Sequence, residues 1–337
     1  MRSIFSLSYD DLFEYIESNN FEKFRAKQII EWLYKKKVVD FDSMKNLPKN
    51  VISKLKTDFV ISSLNEIERK KSIDGTTKII YKTFDNNIIE TVVIPNNLNK
   101  YTICISTQVG CPIGCSFCAT GINGFKRNLN IDEIISQFYL NSKDVSNIVL
   151  MGMGEPFLNP DIWEFLNRMT SVDYFNFSSR SITVSTVGII DGIKKLVSFN
   201  KQIKLAVSYH SGVSETRKIL FPKIYDIIDF KKLIKALKDF SKTGKRFTLE
   251  YILIKDLNDN KKEAEILNNL SREIDFHLNI IPYNSHKFAN YKSPDDIDIS
   301  RFISYLNNVK YTIRKSKGQD ISGACGQLAG EKSIIYN

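Results

Sequence analysis

Three cysteines stand close together in CPIGCSFC: Cys111, Cys115 and Cys118, a C-x3-C-x2-C run. Three thiolates on one Gly- and Pro-containing loop are suited to holding a metal centre. A closed zinc site takes four ligands, commonly in C-x2-C pairs, and no histidine follows nearby. A cubane iron–sulfur cluster whose irons are all protein-bound also takes four cysteines. Three ligands leave one iron open, and an open position on a metal centre usually belongs to a substrate or cofactor. The plainer reading is three buried structural thiols, and it fits poorly with such close spacing on a loop. Cys104 and Cys325 complete the count of five cysteines. Cys104 stands shortly before the run, and Cys325 lies in the glycine-flanked segment GACGQ, where the chain has room to move. On the residues alone, a pair of buried thiols is the ordinary reading of these two.

The elements that must position them follow from periodicity. Strand patterns occur at 101–107, 147–153, 181–186, 203–209, 246–254, 276–283 and 311–316. Helical patterns lie between them at 131–141, 161–170, 189–199, 229–241, 260–272 and 298–309. This alternation predicts right-handed βαβ units and a parallel sheet, six units making an α/β partial barrel. In such folds chemistry gathers at the C-terminal ends of strands. MGMGEP puts Gly154 and Glu155 at the end of the second strand. Ser185 ends the third, Ser208, Tyr209 and His210 end the fourth, and Asn284 ends the sixth. Singly each reads as an ordinary strand-end polar residue; their recurrence at one end marks a site. His277 and His286 carry no motif role, and His277, at a strand start, reads as structural. Ahead of the barrel, helices are expected at 8–18, 22–37 and 48–58, then a hairpin over 78–84 and 88–94 that carries Glu90. An exposed strand carboxylate is the ordinary reading of Glu90. The expected organisation is a small helical accessory unit with its hairpin over 1–95. A barrel over 96–337 follows, with a C-terminal extension bearing Cys325.

The 337 residues are 42% hydrophobic and 26% charged, which provides a sizeable core and excludes a disordered chain. No apolar run approaches the roughly 18–20 residues of a membrane span. The N-terminus turns acidic before any signal-peptide core forms. A cytosolic protein is expected, where structural disulfides are rare. The net charge of +10 invites nucleic acid as a partner, although a chain rich in Lys, Asn and Ile gains lysines without one. The basic runs include Lys35, Lys36 and Lys37, and Arg69, Lys70 and Lys71, which are candidate phosphate contacts.

CPIGCSFCATG, with Phe117 before its last cysteine, resembles the cluster loop of the radical S-adenosylmethionine (SAM) enzymes. Segments 104–129, 151–159, 181–188, 279–284 and 318–330 further resemble the RlmN family of RNA adenine methyltransferases, whose sister is Cfr. The resemblance runs over nearly the whole chain. It implies a radical SAM barrel with a C-terminal catalytic loop, and a [4Fe–4S] cluster on Cys111, Cys115 and Cys118. SAM would chelate the open iron. Gly154, Glu155, Ser185, Ser208, Tyr209, His210 and Asn284 would contact SAM, although the family usually has Leu at Tyr209, which leaves its backbone as the contact.

The resemblance also implies a route that uses two SAM molecules per turnover. Cys325 takes a methyl from one. A radical from the second removes hydrogen from that methyl, and the methylene adds to the adenine ring. Cys104 then attacks Cys325 sulfur, forming a transient disulfide of the kind the cytosol permits. Glu90 would accept the proton during release. QVGC, GFKRNL and GEPFLN resemble the carbon-2 enzymes acting on 23S rRNA. The carbon-8 relatives tend to have a cysteine at Val109 and no proline at Pro156. Some members also act on adenosine 37 of tRNA, and no residue here decides that. The expected partners are RNA and an electron donor such as flavodoxin or ferredoxin, the enzyme itself being a monomer. A non-catalytic metal-binding RNA module is the rival reading, and it leaves Cys104, Cys325 and GMGEP without a role.

Overall fold

β-Branched runs form the strands and amphipathic runs the helices, as their periods require. A computed structural model of the chain describes residues 2–96 and 99–329. Ten strands make one sheet: β1 Asn65–Lys71, β2 Thr77–Lys82, β3 Ile88–Pro95, β4 Tyr101–Cys104, β5 Val145–Leu150, β6 Ile182–Thr186, β7 Lys204–Ser208, β8 Phe247–Leu253, β9 His277–Pro282 and β10 Lys310–Ile313. They neighbour one another in sequence order from β1 to β10. β1 to β4 pair antiparallel, and β4 to β10 pair parallel. Helices Ile131–Tyr139, Ile162–Thr170, Ile190–Ser198, Phe230–Ser241, Lys261–Glu273 and Asp296–Ser304 follow the six strands from β4 to β9. The expected six-unit partial barrel is therefore present, with β10 as a seventh parallel strand.

Several elements differ from expectation. The helix expected over 22–37 is α-helical only over Phe24–Ile30. It then widens into a π-helical turn, Glu31–Lys36, and stops at Lys37 in the left-handed region. The last helix starts earlier than its apolar pattern suggests, because Asp295 and Asp298 cap each other reciprocally around its first turn. β1 was not expected, since NEIERKK offers one apolar residue. It is the outer strand of the hairpin sheet, where side chains can stay in water.

The N-terminal helices Tyr9–Ser18, Phe24–Ile30 and Lys49–Asp58 bury Ile16, Ile29 and Leu55, and the turn Ile4–Ser6 buries Phe5, in the same core as the barrel. Arg168 Nη1 donates to Phe5 O at 2.7 Å, joining the two. A buried amide on the first barrel helix ties β3 to the segment after β4: Gln137 Oε1 accepts from Thr91 Oγ1 and Ser106 N, both at 2.8 Å, and its Nε2 donates to Ser106 O at 2.9 Å. Such a fully satisfied network specifies one arrangement.

After β4 a small hairpin, Gln108–Gly110 with Phe125–Asn128, brackets the cysteine run. Arg127 fixes it, bonding Asp85 of the neighbouring turn and Glu133 of the first barrel helix through two contacts each. Gly110 has φ +74°, and a Cβ there would collide with the carbonyl of Gly124. The Gly110→Ala variant is expected to lose about 1–3 kcal/mol from backbone strain. A thermal melt should show a lowered midpoint, and iron uptake should fall with it, since Cys111 is the next residue.

Candidate active site

Register sets the first site residue. Cys104 ends β4 opposite Val92 of β3 and Val149 of β5. The cysteine run begins after Gly110, where Cys111 N donates to Gly124 O at 2.7 Å. Ser116 anchors the middle of the loop, its Oγ donating to Ile219 O at 2.8 Å. Ile113 and Phe117 pack with Leu220, Phe221 and Tyr283 into an apolar cluster under the loop.

Two adjoining cavities open beside it, of ≈160 and ≈240 Å³. Cys111, Cys115, Cys118, Gly154, Glu155, Ser185, Ser208, His210 and Cys325 line the first. Cys104, Cys325, Val92, Ile94 and Arg314 line the second. Cys118, Met151, Arg314 and Cys325 border both. Cys325 is thus on the boundary between the three-cysteine loop and Cys104.

The strand ends supply polar groups in fixed poses. Glu155 is buried, and its Oε2 accepts from Val187 N at 2.8 Å and its Oε1 from Phe157 N at 3.2 Å. Burial pushes its carboxyl up to about 7. Gly154 has φ +106°, and a Cβ there would press on Gln108, whose Oε1 accepts from Glu155 N at 2.8 Å. His210 sits in the left-handed region, with Nδ1 accepting from Ile252 N at 3.0 Å. That bond assigns the proton to Nε2. Burial pulls this imidazole down to about 3, so it is neutral.

Burial raises every cysteine thiol of the site: Cys111 and Cys104 to about 12, Cys115 well above its ordinary value, and Cys118 and Cys325 upward. Cys325 is exposed because it faces open space, while the surrounding protein still disfavours its thiolate. The Arg314 guanidinium pulls Cys104 and Cys325 back toward ionisation. Three thiols whose ionisation the surrounding protein disfavours become thiolates together only against a strong positive centre. Among the described residues, no three His, Cys, Asp or Glu side chains converge as ligands of a single ion. The donor set of three thiols on one loop suits an iron–sulfur centre that leaves one iron open.

Three of the residues expected at the site do not line the cavities. The Tyr209 ring is fully buried, 5.6 Å from Phe230. Asn284 supports the C-terminal loop, its Nδ2 donating to Cys325 O at 3.1 Å and its Oδ1 accepting from Gln319 Nε2 at 2.7 Å. Glu90 is fully buried rather than exposed, paired with Lys78 at 3.6 Å. His286 braces the loop through Phe117 O at 2.9 Å, and His277 bonds Thr312 at 2.7 Å. Sequence reasoning missed Arg314, Glu250 and Met151 as lining residues. Inward alternation along β8 offered a signal for Glu250; Arg314 stands in a run of basic residues that gave none.

The comparisons with known proteins agree with this geometry. The radical SAM superfamily model matches residues 105–266. The model for the N-terminal domain of ribosomal RNA large subunit methyltransferases matches residues 3–61. A crystal structure of a radical SAM methyltransferase from Sphaerobacter thermophilus superposes with a TM-score of 0.92 at 36% identity, covering 98% of this chain and 100% of that one. Fold, loop and match define a radical SAM enzyme.

A probable dual-specificity RNA methyltransferase RlmN of Clostridium novyi is 41% identical, over 97% of this chain and 98% of the relative. The corresponding RlmN protein of Nautilia profundicola is also 41% identical, over 93% and 94%. The chain belongs to the RlmN family of radical SAM RNA methyltransferases. The family implies a [4Fe–4S] cluster and SAM, and the three-thiol donor set fits that cluster. No helix among the described residues is long and apolar enough to cross a membrane.

Anaerobic reconstitution is expected to load about four irons and four sulfides per chain. Loading should release protons, because burial holds the thiols protonated beforehand, so uptake should improve as pH rises. Cys115→Ala should lose most of the iron in a colorimetric assay; full iron in that variant would contradict the assignment of ligands.

Proposed function

We propose that this enzyme methylates carbon 2 of an adenosine in the peptidyl-transferase region of 23S rRNA, through a methylated cysteine. The observation that carries the reading is that Cys325 borders both cavities, with the three-cysteine loop on one side and Cys104 on the other. Cys111, Cys115 and Cys118 would hold the cluster. Gly154, Glu155, Ser185, Ser208 and His210, with the backbone at Tyr209, would receive SAM. The cluster and SAM, when bound, supply a transferable methyl group and a hydrogen-abstracting radical.

The chain's own groups do the rest. Cys325 carries the carbon as a thioether, and Arg314 favours its thiolate beforehand. Cys104 attacks Cys325 sulfur, so that the sulfur–carbon bond breaks with its electron pair left on carbon; the carbon takes a proton to become the methyl group, and the two sulfurs, oxidised by the loss of that pair, end as the disulfide. Glu90, which lines neither cavity as the chain stands, would receive the ring proton once the site opens a path to it. Asn284 acts by supporting the loop through Cys325 O.

A base inside folded RNA must leave its stack to reach this depth. Phosphate contacts would come from the accessory unit over 1–95, whose cations differ in availability. Lys37 lies partly buried over the Phe138 ring, and Arg69 is held by Glu66 at 2.7 Å, whereas Lys71 is exposed. Transfer RNA as a second substrate, a flavodoxin or ferredoxin as reductant, a cytoplasmic setting and a monomeric state complete the reading.

Anaerobic turnover with SAM and a 23S rRNA fragment tests it. Mass spectrometry should recover 2-methyladenosine. Cys325→Ala should yield none, and Cys104→Ala should accumulate RNA covalently joined to protein. Recovery of 8-methyladenosine would support the sister activity instead.

A further inference from the structure

A base received by the second cavity must present one carbon to Cys325 sulfur, and the atoms beside that carbon then meet whatever flanks the cysteine. The cavity measures ≈240 Å³, and Val92, Ile94, Met151, Ile281 and Leu328 supply apolar walls. Polar atoms of a purine ring lose water on entering such a slot, and each one left without a partner weakens binding. Among the described residues that border both cavities, only Thr120 and Arg314 carry a side-chain O–H or N–H. Thr120 Oγ1 is already spent, donating to Leu328 O. Arg314 is the donor that remains.

The sheet delivers Arg314 to this place. It follows the last residue of β10, and its N donates to Ile280 O of β9 at 2.8 Å. Its guanidinium faces the buried Glu250 of β8, Nη1 to Oε2 at 3.6 Å. Glu250 is itself held, Oε1 accepting from Thr248 Oγ1 at 2.7 Å and from Asn279 Nδ2 at 2.8 Å. A guanidinium carries five N–H donors, and among the described residues those of Arg314 meet only this ion pair. Its charge reaches both Cys104 and Cys325.

We propose that Arg314 is a catalytic residue that donates a hydrogen bond to a ring nitrogen flanking carbon 2 of the target adenine. This rests on the carbon-2 reading above. Carbon 2 stands between N1 and N3, so a base with that carbon at Cys325 offers one of these acceptors to the neighbouring guanidinium. When the methylene radical on Cys325 sulfur adds, a carbon–carbon bond forms and a carbon–nitrogen π bond of the ring opens. One electron of that π bond enters the new bond, and the other stays on the ring nitrogen and the atoms conjugated with it. A cationic donor already in place stabilises that nitrogen as its electron density rises. The same bond fixes the rotation of the base in the slot.

The test isolates the addition step. Full-length enzyme in the Cys104→Ala background is reconstituted and brought to one methyl per chain on Cys325, so that ionisation of that thiol no longer matters. SAM, reductant and synthetic 23S rRNA fragments follow, with adenosine or its 1-deaza, 3-deaza or 7-deaza analogue at the target position. RNA joined to protein is measured against time. With adenosine, Arg314→Met is expected to form the adduct on the order of tenfold or more slowly. Either the 1-deaza or the 3-deaza analogue should slow the enzyme with Arg314 far more than it slows Arg314→Met, because the bond it deletes is already absent from the variant. The 7-deaza analogue should slow both alike. Lys315→Met, altered at a second cation of the same cavity, should keep the penalties of the enzyme with Arg314. Arg314→Lys keeps the charge and loses the planar fork, and it carries the comparison, with a shrunken penalty, if Arg314→Met fails to load iron. Equal penalties with and without Arg314 for all three analogues, or a penalty that disappears in Lys315→Met, would overturn the proposal. Absence of any adduct in the Cys104→Ala parent, or 8-methyladenosine from the wild-type enzyme, would instead overturn the reading of the function, a separate result.

Discussion

The register of β4 is the constraint on which the site depends. This short strand pairs antiparallel with β3 on one side and parallel with β5 on the other. It therefore joins the hairpin sheet to the barrel and must satisfy both ladders at once. A slip of one residue would turn Cys104 to the opposite face. The three-cysteine loop leaves from the end of the same strand, so its position is set by the same pairing. Ser106 secures that exit: its Oγ donates to Glu90 O at 2.6 Å and accepts from Met153 N at 2.9 Å. One hydroxyl thus ties the hairpin, the loop exit and the MGMGEP turn.

Around that junction the protein trades solvation for fixed partners. Glu155, Glu90, Lys78 and His210 are all buried. In a medium of low polarity each unpaired group would be costly, and each paired one is held firmly. Burial also keeps the five thiols protonated until a positive centre or a guanidinium offsets it. The chemistry of the cysteines is therefore set by what is brought to the cavity. The C-terminal loop that carries Cys325 has little secondary structure of its own. Contacts from the hairpin, from the segment after Cys118 and from Asn284 hold it.

Much of this was legible in the sequence. The βα alternation foretold the parallel strands, because Val- and Ile-rich runs separated by amphipathic stretches have few other solutions. The cysteine spacing foretold one loop, and strand-end polar residues foretold Ser185, Ser208 and His210 at the cavity. What escaped depends on contacts between distant segments. Glu90 read as an exposed charge on a hairpin, and it is buried where the C-terminal loop covers it. Asn284 read as a ligand contact, and it is a strut beneath Cys325. Tyr209 stands at the right strand end, but its ring turns into the core. Gly330, which ends the C-terminal motif, lies outside the described residues. Periodicity reports which face a residue takes within its own element and says nothing of which remote loop closes over it.

The central claim is that Cys325, standing between the two cavities, is the residue that carries the methyl carbon. Reconstituted enzyme given SAM and a reductant, without RNA, then digested and mapped by mass spectrometry, tests it directly. The account predicts one methyl group on the peptide containing Cys325 and none on the peptides containing Cys104 or the three-cysteine loop. A methyl group found on Cys104, or an unmodified Cys325 in enzyme that still methylates RNA, would contradict it.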